Sequence, residues 1–160
     1  MKDLAKLFEH TLMDIYYAEN QIAKTLPKLA KVAKAPELKK AFETHLHQTQ
    51  THIERLAQIF KLLGKPAKSV VCEAIKGILK EGDEVVEEFS GGTALDAGLI
   101  AAAQAVEHYE MSRYGALRTW AQELGMDEAA QLLEKTLLEE RETDQLLTKI
   151  AETRVNLKAA

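Results

Sequence analysis

Apolar residues recur every three or four positions along most of the chain, and short turn signals separate the stretches that show this pattern. Such spacing places the apolar side chains on one face of an α-helix. It predicts four long helices at about residues 2–34, 36–63, 94–124 and 127–154, and a shorter one at about 70–89. No stretch shows a convincing strand pattern, so we predict an all-α protein.

Proline and glycine mark the turns between these helices. Pro36 stands where the second helix should begin, and Gly64 and Gly125 follow the last apolar positions of the second and third long helices. Turns this short join antiparallel neighbours. We therefore predict one domain, residues 1–160: a ferritin-like four-helix bundle of two antiparallel hairpins with a helical crossover connection.

Some signals predict irregularities within these elements. Pro27 indicates a kink or a break in the first helix, and Gly82 indicates a break in the short helix. The spacing of Thr93 and Asp96 is that of a capping box at the start of the third long helix. The last five residues, 156–160, are expected to fray.

Polar residues interrupt the apolar stripe in the middle of every long helix. They are Glu19, Gln48, His52, Glu107, Glu110, Glu140 and Asp144. In an antiparallel hairpin, two residues at the same height have their midpoint at the turn. The midpoint of Glu19 and His52 is the first turn, and that of Glu107 and Glu140 is the second. Both polar groups lie about 24 Å from their turns, and so can meet at mid-bundle.

Five carboxylates at one buried level would repel one another strongly unless cations neutralised them. Carboxylate oxygens with an imidazole suit iron or manganese. We therefore predict two divalent metal ions, with iron favoured and manganese the alternative, held by the seven polar residues. Taken singly, each of these residues is more often a solvated edge residue or a satisfied core histidine.

Neighbouring residues are given plainer interpretations. His45 lies on the stripe but one or two turns from the cluster, so it is expected in the core or behind the ligands. Glu139 is expected at the surface, and Cys72 as a half-buried free thiol. Tyr109 and Tyr114 are expected mainly to pack, with hydrogen bonding to the ligands or electron donation as alternatives.

Composition narrows the class of protein. The chain is 46% apolar with a net charge of −4 and a single cysteine. One cysteine excludes an internal disulfide, a four-cysteine zinc site and an internal cysteine-ligated iron–sulfur cluster. No signal-type segment or membrane span is evident, so a reduced, cytoplasmic location is expected. Net acidity and the lack of a basic tail argue against nucleic-acid binding. A homodimer is expected.

Several segments resemble a known family along nearly the whole chain. They are DIYYAENQI at 14–22, HLHQTQTHIERL at 45–56, CEAIKGILKEG at 72–82, VEHYE at 106–110, YGALRTWAQELG at 114–125 and TLLEERETDQLLT at 136–148. They resemble the YciE/YciF-type ferritin-like proteins, bacterial stress-associated four-helix bundles, and are most similar to the YciE members. The resemblance implies a di-iron centre and a link to stress.

Carried over by residue, the resemblance assigns Glu19 to the first helix, Glu107 and Glu110 to the VEHYE segment, and Glu140 and Asp144 to the last helix. At the position of Gln48 many relatives carry a glutamate. A neutral amide is the weaker ligand, so one metal position is expected to be weak unless His52 compensates.

Two functions follow as alternatives. One is ferroxidase, peroxidase or oxidase chemistry with oxygen or peroxide. The other is a non-enzymatic stress protein with a structural metal and a partner-binding role. Iron storage in a cage is a weaker third idea.

Overall fold

The computed structural model describes residues 2–160, and these residues form helices with no strand among them. The helices are α1 (Leu4–Val32), α2 (Pro36–Leu62), α3 (Glu73–Phe89), α4 (Leu95–Glu123) and α5 (Asp127–Ile150), then a π-helical turn (Ala151–Val155) and α6 (Asn156–Ala159). The all-α prediction is confirmed, and the long helices begin and end within a few residues of the predicted bounds.

The four long helices form two hairpins that pack side by side. Helix α1 packs against α2, and α4 against α5, while α2 also contacts α5 and α1 contacts α4. The crossover helix α3 lies outside this square, against α4 and α1. This arrangement confirms the predicted bundle of two hairpins with a helical crossover, and it brings the mid-helix residues of all four long helices to one interior.

Both predicted glycine stops are present. Gly64 and Gly125 follow α2 and α4 with φ angles of 67° and 68°. Side chains disfavour this left-handed conformation, and glycine adopts it readily. These two turns end the helices abruptly and so set the register at which each hairpin pairs.

The predicted breaks at Pro27 and Gly82 are not found, and a kink at Pro27 stays a prediction. Helix α1 continues through Pro27 to Val32, since Pro27 lies on the exposed face, where water can hydrogen-bond the carbonyl group left free. Helix α3 is also unbroken at Gly82, which is buried against α4. A Cβ atom at Gly82 would lie 3.6 Å from Ala102 Cβ, so the glycine lets α3 pack closely rather than ending it.

Two further expectations about helix ends are wrong. Ala94 is the N-cap of α4, with no side-chain cap, so Thr93 and Asp96 do not form a capping box. Instead, Asp96 is buried and accepts hydrogen bonds from the backbone N–H groups of Lys34 (2.9 Å) and Ala35 (2.6 Å). It joins the α1–α2 turn to the start of α4. Residues 156–159, predicted to fray, are helical.

The interior is apolar at both ends and polar in the middle. Its largest fully buried side chains include Tyr114, Phe8, Phe42 and Phe60. Eleven polar residues are buried in the described part of the chain, and those near mid-bundle include four glutamates and two histidines. Within residues 2–160, no helix is long and apolar enough to cross a membrane.

Candidate metal centre

All four long helices contribute to two groups of buried side chains whose ligand atoms lie within 4.8 Å of one another. One group is His45, Glu107, Glu110 and Glu140, and the other is Glu19, His52 and Glu140. They arise because each amphipathic stripe is interrupted at mid-helix by a residue with oxygen or nitrogen donors. Glu140 belongs to both groups, so the two form one continuous centre.

The first group is arranged around the ring of His45. His45 Nε2 lies 3.0 Å from Glu107 Oε1 and 3.8 Å from Glu140 Oε2. The three side chains come from α2, α4 and α5, and each is at most 4% exposed. Both oxygens of Glu110 lie buried beside them without a hydrogen-bond partner among the described residues. This is an arrangement of nitrogen and oxygen donors around a common point.

The second group is arranged around the ring of His52. His52 Nδ1 lies 2.8 Å from Glu140 Oε1 and 3.3 Å from Glu19 Oε1, and all three side chains are fully buried. Tyr114, also fully buried, donates a hydrogen bond from its hydroxyl group to Glu19 Oε1. The second Glu19 oxygen lacks a partner. Tyr114 therefore orients Glu19 rather than only packing.

The unpartnered oxygens test whether the residues fit a metal. Both oxygens of Glu110 and one oxygen each of Glu19, Glu107 and Glu140 are buried without a hydrogen bond from the part of the chain described. Buried carboxylate oxygens without partners are costly. Four carboxylates together carry the charge that two divalent cations balance, and their hard oxygen and imidazole donors suit iron or manganese. The residues thus fit the predicted pair of ions.

Burial and mutual repulsion shift the pKa values of these acids. Burial raises the pKa of Glu107 to about 7, and it raises those of Glu110 and Glu140 well above the usual range, with neighbouring carboxylates adding to the effect. Burial acts in the same direction on Glu19, but its interactions with His52 outweigh it and lower the pKa of Glu19. Without metal, the centre therefore retains protons at neutral pH.

His52 supplies a positive charge to the metal-free centre. Burial disfavours its protonated form, but hydrogen bonds to Glu140 and Glu19 prevail and raise its pKa to about 11. In the metal-free protein, the protonated His52 ring thus neutralises part of the negative charge that a metal ion would otherwise balance. A metal bound at Nδ1 would displace this proton.

Behind His52, an ion pair fixes the ring. His52 Nε2 lies 2.8 Å from Glu139 Oε2, and Arg55 donates to both Glu139 oxygens at 2.7 and 2.8 Å. Arg55 also donates to Thr136 at 3.1 Å. Donation from Nε2–H to Glu139 directs Nδ1 at Glu19 and Glu140. Glu139 was expected at the surface; it is instead 28% exposed and orients a candidate ligand.

Five of the seven predicted ligands meet in this centre, namely Glu19, His52, Glu107, Glu110 and Glu140. Asp144 is not among its groups, which comprise histidine and glutamate side chains, and the ligand role of Gln48 stays a prediction. Gln48 lies at the edge of the α2 stripe, where its Oε1 is 3.3 Å from Thr143 Oγ1 and 3.5 Å from His45 Nδ1. Asp144 faces the solvent side of α4, with Gln104 Nε2 and His108 Nε2 both 3.2 Å from Oδ1. The structure thus gives both residues other partners.

His45 was excluded from the ligand set by sequence reasoning but lies inside the centre. It is seven residues from His52, a rise of about 10 Å along α2. The two rings nevertheless approach to 6.3 Å between centroids, because side chains lean along the helix. The position of His45 on the buried stripe of α2 is the sequence signal for a ligand, and the length of its side chain carries the ring to the acids.

The single cysteine lies away from the centre and was also misplaced. Cys72 is 1% exposed rather than half-buried, and its Sγ accepts from the N–H of Ile75 at 3.4 Å as the N-cap of α3. Tyr109 O–H, 2.9 Å from this sulfur, donates to Asp14 at 2.7 Å. The contacts of Tyr109 thus tie α3 and α1 to α4, a structural role.

The ion pair behind His52 can be tested separately from the ligands. Replacing Glu139 with alanine removes the acceptor that orients the ring, and we expect metal affinity to fall by about 10- to 100-fold. Glu142→Ala, on the exposed face of the same helix, is the matched control and should bind as the wild type does. Titration with ferrous or manganous ion by anaerobic calorimetry measures both. Equal affinities in the two variants would contradict an orienting role.

Comparison with known proteins shows which family this chain resembles. The family described as a domain of unknown function, DUF892, matches residues 3–160. Protein YciF of Escherichia coli (strain K12) is 43% identical over 160 residues, which are 99% of this chain and 96% of that protein. The predicted greater similarity to YciE members stays a prediction.

Solved structures agree with this match. The crystal structure of the E. coli stress protein YciF superposes with a TM-score of 0.92 at 43% identity, over 98% of this chain and 99% of that one. YcfI from Rhodopseudomonas palustris, provisionally described as a structural protein, gives a TM-score of 0.91 at 46% identity, over 93% and 95%. Since these matches span almost every residue, the chain belongs to the DUF892 family of YciE/YciF-type helical-bundle proteins.

Proposed function

We propose that the protein binds two divalent metal ions between its four long helices, and that with iron it carries out redox chemistry with oxygen or peroxide. The observation that supports this most directly is Glu140, which is shared by two histidine–carboxylate groups. A carboxylate between two such groups suits a pair of nearby cations. The four acids of the centre match the charge of two divalent ions.

The first ion would be held by His45, Glu107, Glu110 and Glu140, and the second by Glu19, His52 and Glu140. Iron favours such nitrogen and oxygen donors, and manganese is the alternative metal. When bound, two ferrous ions would supply the two electrons that, with two protons, reduce one dioxygen molecule to hydrogen peroxide, leaving two ferric ions.

The protein's own residues would release protons, position the ligands and exclude bulk water for this chemistry. Metal binding would release protons from Glu107, Glu110 and Glu140. Their raised pKa values keep protons on these carboxyl groups in the metal-free protein, and bound cations would displace those protons. Tyr114 and Glu139 hold Glu19 and His52 in position. The apolar layers above and below exclude bulk water and so strengthen every charge interaction in the centre.

The biological setting we propose is a bacterial, cytoplasmic stress response. Its support is the likeness to the E. coli protein described as a stress protein. A centre that removes ferrous ion, which reacts damagingly with peroxide, would limit oxidative damage, which agrees with that setting.

A second candidate is a non-enzymatic protein with a structural metal and a partner-binding role. The complete burial of Glu19, His52 and Glu140 favours it, because structural metal sites are closed to solvent. The provisional description of the R. palustris relative as a structural protein also supports this second candidate. Metal would then stabilise the bundle without any turnover.

One experiment separates the candidates. Protein purified without chelator or affinity-column metal is analysed for metal, then mixed anaerobically with ferrous ion and exposed to oxygen or peroxide. The redox proposal expects about two metal equivalents and ferrous oxidation faster than in buffer, and slower in Glu107→Gln. Metal binding with rates equal to buffer would support the structural role. Absence of bound metal, with no thermal stabilisation by added ferrous ion, would overturn both.

A further inference from the structure

A small apolar cavity lies directly beside the histidine end of the centre. It has a volume of about 20 Å³ and sits between α1, α2, α3, α4 and α5. Most of its wall is formed by aliphatic and aromatic side chains, including Ile22, Leu26, Phe42, Leu79, Ala103 and Val106. Its lining also includes His45 and Glu107, two candidate ligands.

The few polar groups of this cavity divide into two kinds. The hydroxyl groups of Thr25 and Thr143 already donate to carbonyl groups of their own helices, at 3.0 and 3.1 Å. His45 Nε2 lies 3.0 Å from Glu107 Oε1, and Glu107 Oε2 has no hydrogen-bond partner in the described part of the chain. The cavity is therefore apolar along most of its wall, and the polar atoms of the candidate metal ligands lie at one end only.

The volume limits what this space accepts. About 10–15 Å³ holds one water molecule, but a water also needs two to four polar partners. The aliphatic part of the wall offers none, so polar partners for a water exist only at the end formed by His45 and Glu107, and fully apolar cavities stay dry and take up xenon or small hydrocarbons. The cavity thus suits one small apolar molecule, of the size of dioxygen.

A second cavity continues from the first toward the surface. It also measures about 20 Å³, lies under α3, and shares with the first cavity the side chains of Thr25, Leu29, Leu79, Ala103 and Val106. Its outer end reaches Gly82 and Asp83, and Asp83 is exposed. The two cavities are therefore neighbours that share part of their lining, and together they extend from the edge of the crossover helix to His45.

We propose that these two cavities are the route by which dioxygen, as a small apolar molecule, reaches the His45 side of the centre. This rests on the proposed metal function and specifies its oxidant. Hydrogen peroxide would lose its hydrogen bonds to water along this wall, at a cost of about 1–3 kcal/mol for each polar group, and so is disfavoured there. The crossover helix α3 then has a role beyond connecting the hairpins, since it covers the passage.

Xenon tests the passage in the metal-free protein. Xenon-pressurised crystals, or xenon titration followed by NMR, should show xenon beside Ala103 in the wild type. Ala103→Leu fills the space shared by both cavities and should abolish that site. Ala105→Leu, on the exposed face of the same helix, is the matched control and should retain it. A wild type that takes up no xenon there would overturn the proposal.

The oxidant then tests the route. In the ferrous protein, Ala103→Leu should slow oxidation by oxygen by at least about tenfold, or roughly 1.4 kcal/mol in the barrier, while oxidation by peroxide stays within about twofold. Equal slowing with both oxidants would mean a damaged centre and overturn the route. Ala102→Leu narrows only the outer cavity; it should slow oxygen while keeping xenon beside Ala103.

Failure of this inference and failure of the metal function are distinguishable. If neither oxidant reacts in the wild type, the redox function fails and the route with it, although xenon still reports the cavity. If both oxidants react but Ala103→Leu and Ala102→Leu leave the oxygen rate unchanged, the redox function stands and the route is wrong.

Discussion

Replacing Glu140 with glutamine is expected to abolish metal binding at both groups while leaving the metal-free bundle folded and no less stable. Glu140 is the residue common to both groups, with Oε1 2.8 Å from His52 Nδ1 and Oε2 3.8 Å from His45 Nε2. An amide lacks the negative charge that holds two cations. Without metal, the same substitution removes a buried acid whose pKa burial raises well above normal, and so removes a source of repulsion.

Elemental analysis and thermal unfolding measure the two halves of this result. Wild-type protein should contain about two equivalents of iron or manganese and unfold at higher temperature when they are bound. Glu140→Gln should contain none and should not respond to added metal. Asp144→Asn, one turn further along α5, should retain the metal, because Asp144 contacts Gln104 and His108 instead. Loss of metal in Asp144→Asn would contradict the position assigned to that residue.

The stability of the metal-free protein should fall as pH rises from about 5 to about 9. Glu107 has a pKa of 4.5 in the unfolded chain and about 7 in the fold because burial disfavours its charge. The stability from its protonated form is thus complete below 4.5 and is lost as pH rises through 7. Glu110 and Glu140 act in the same direction. His52, raised from 6.5 to about 11, contributes fully below 6.5 and progressively less above it. Glu19, Glu139 and Glu9, whose pKa values are lowered, act oppositely, and they do so below pH 4.5.

Thermal unfolding across this pH range measures the effect. We expect a loss of a few kcal/mol in the metal-free wild type, or roughly 5–10 °C in Tm. Glu107→Gln should show a smaller slope because it has no proton to lose at that position. In the metal-loaded protein the trend should weaken or reverse, since cations bind better as protons leave the ligands. A metal-free protein that becomes more stable toward pH 9 would contradict the assigned pKa shifts.

The fold follows closely from the sequence because its determinants are local. The apolar stripes set the helices, and glycines at 64 and 125 end two of them in a left-handed conformation that few other residues adopt. Midpoint arithmetic across the turns paired Glu19 with His52 correctly, since both residues rise by the same amount along neighbouring helices. The predicted helix breaks at Pro27 and Gly82 were wrong, because the effect of each residue depends on which face of the helix it occupies.

The centre was only partly predictable, and the misses share a cause. A height along a helix says where the Cα atom lies, whereas a ligand is defined by where the end of its side chain lies. His45 reaches the acids from two turns away from His52, with Nε2 3.0 Å from Glu107. Asp144, at a suitable height, contacts Gln104 and His108 instead, whereas Gln48 lies behind the ring of His45 and its ligand role stays a prediction. Glu139 was assigned to the surface, but Arg55 and His52 draw it inward.

The sequence by itself determined the helical class, the hairpin register and the presence of acids and a histidine at one buried level. Those features depend on periodicity and on turn residues, which act over a few positions. Only the tertiary structure decided which donors converge, that Glu140 is common to both groups, and that an apolar cavity ends at His45. Convergence and cavities depend on how side chains from several helices share one volume, and no single helix encodes that arrangement.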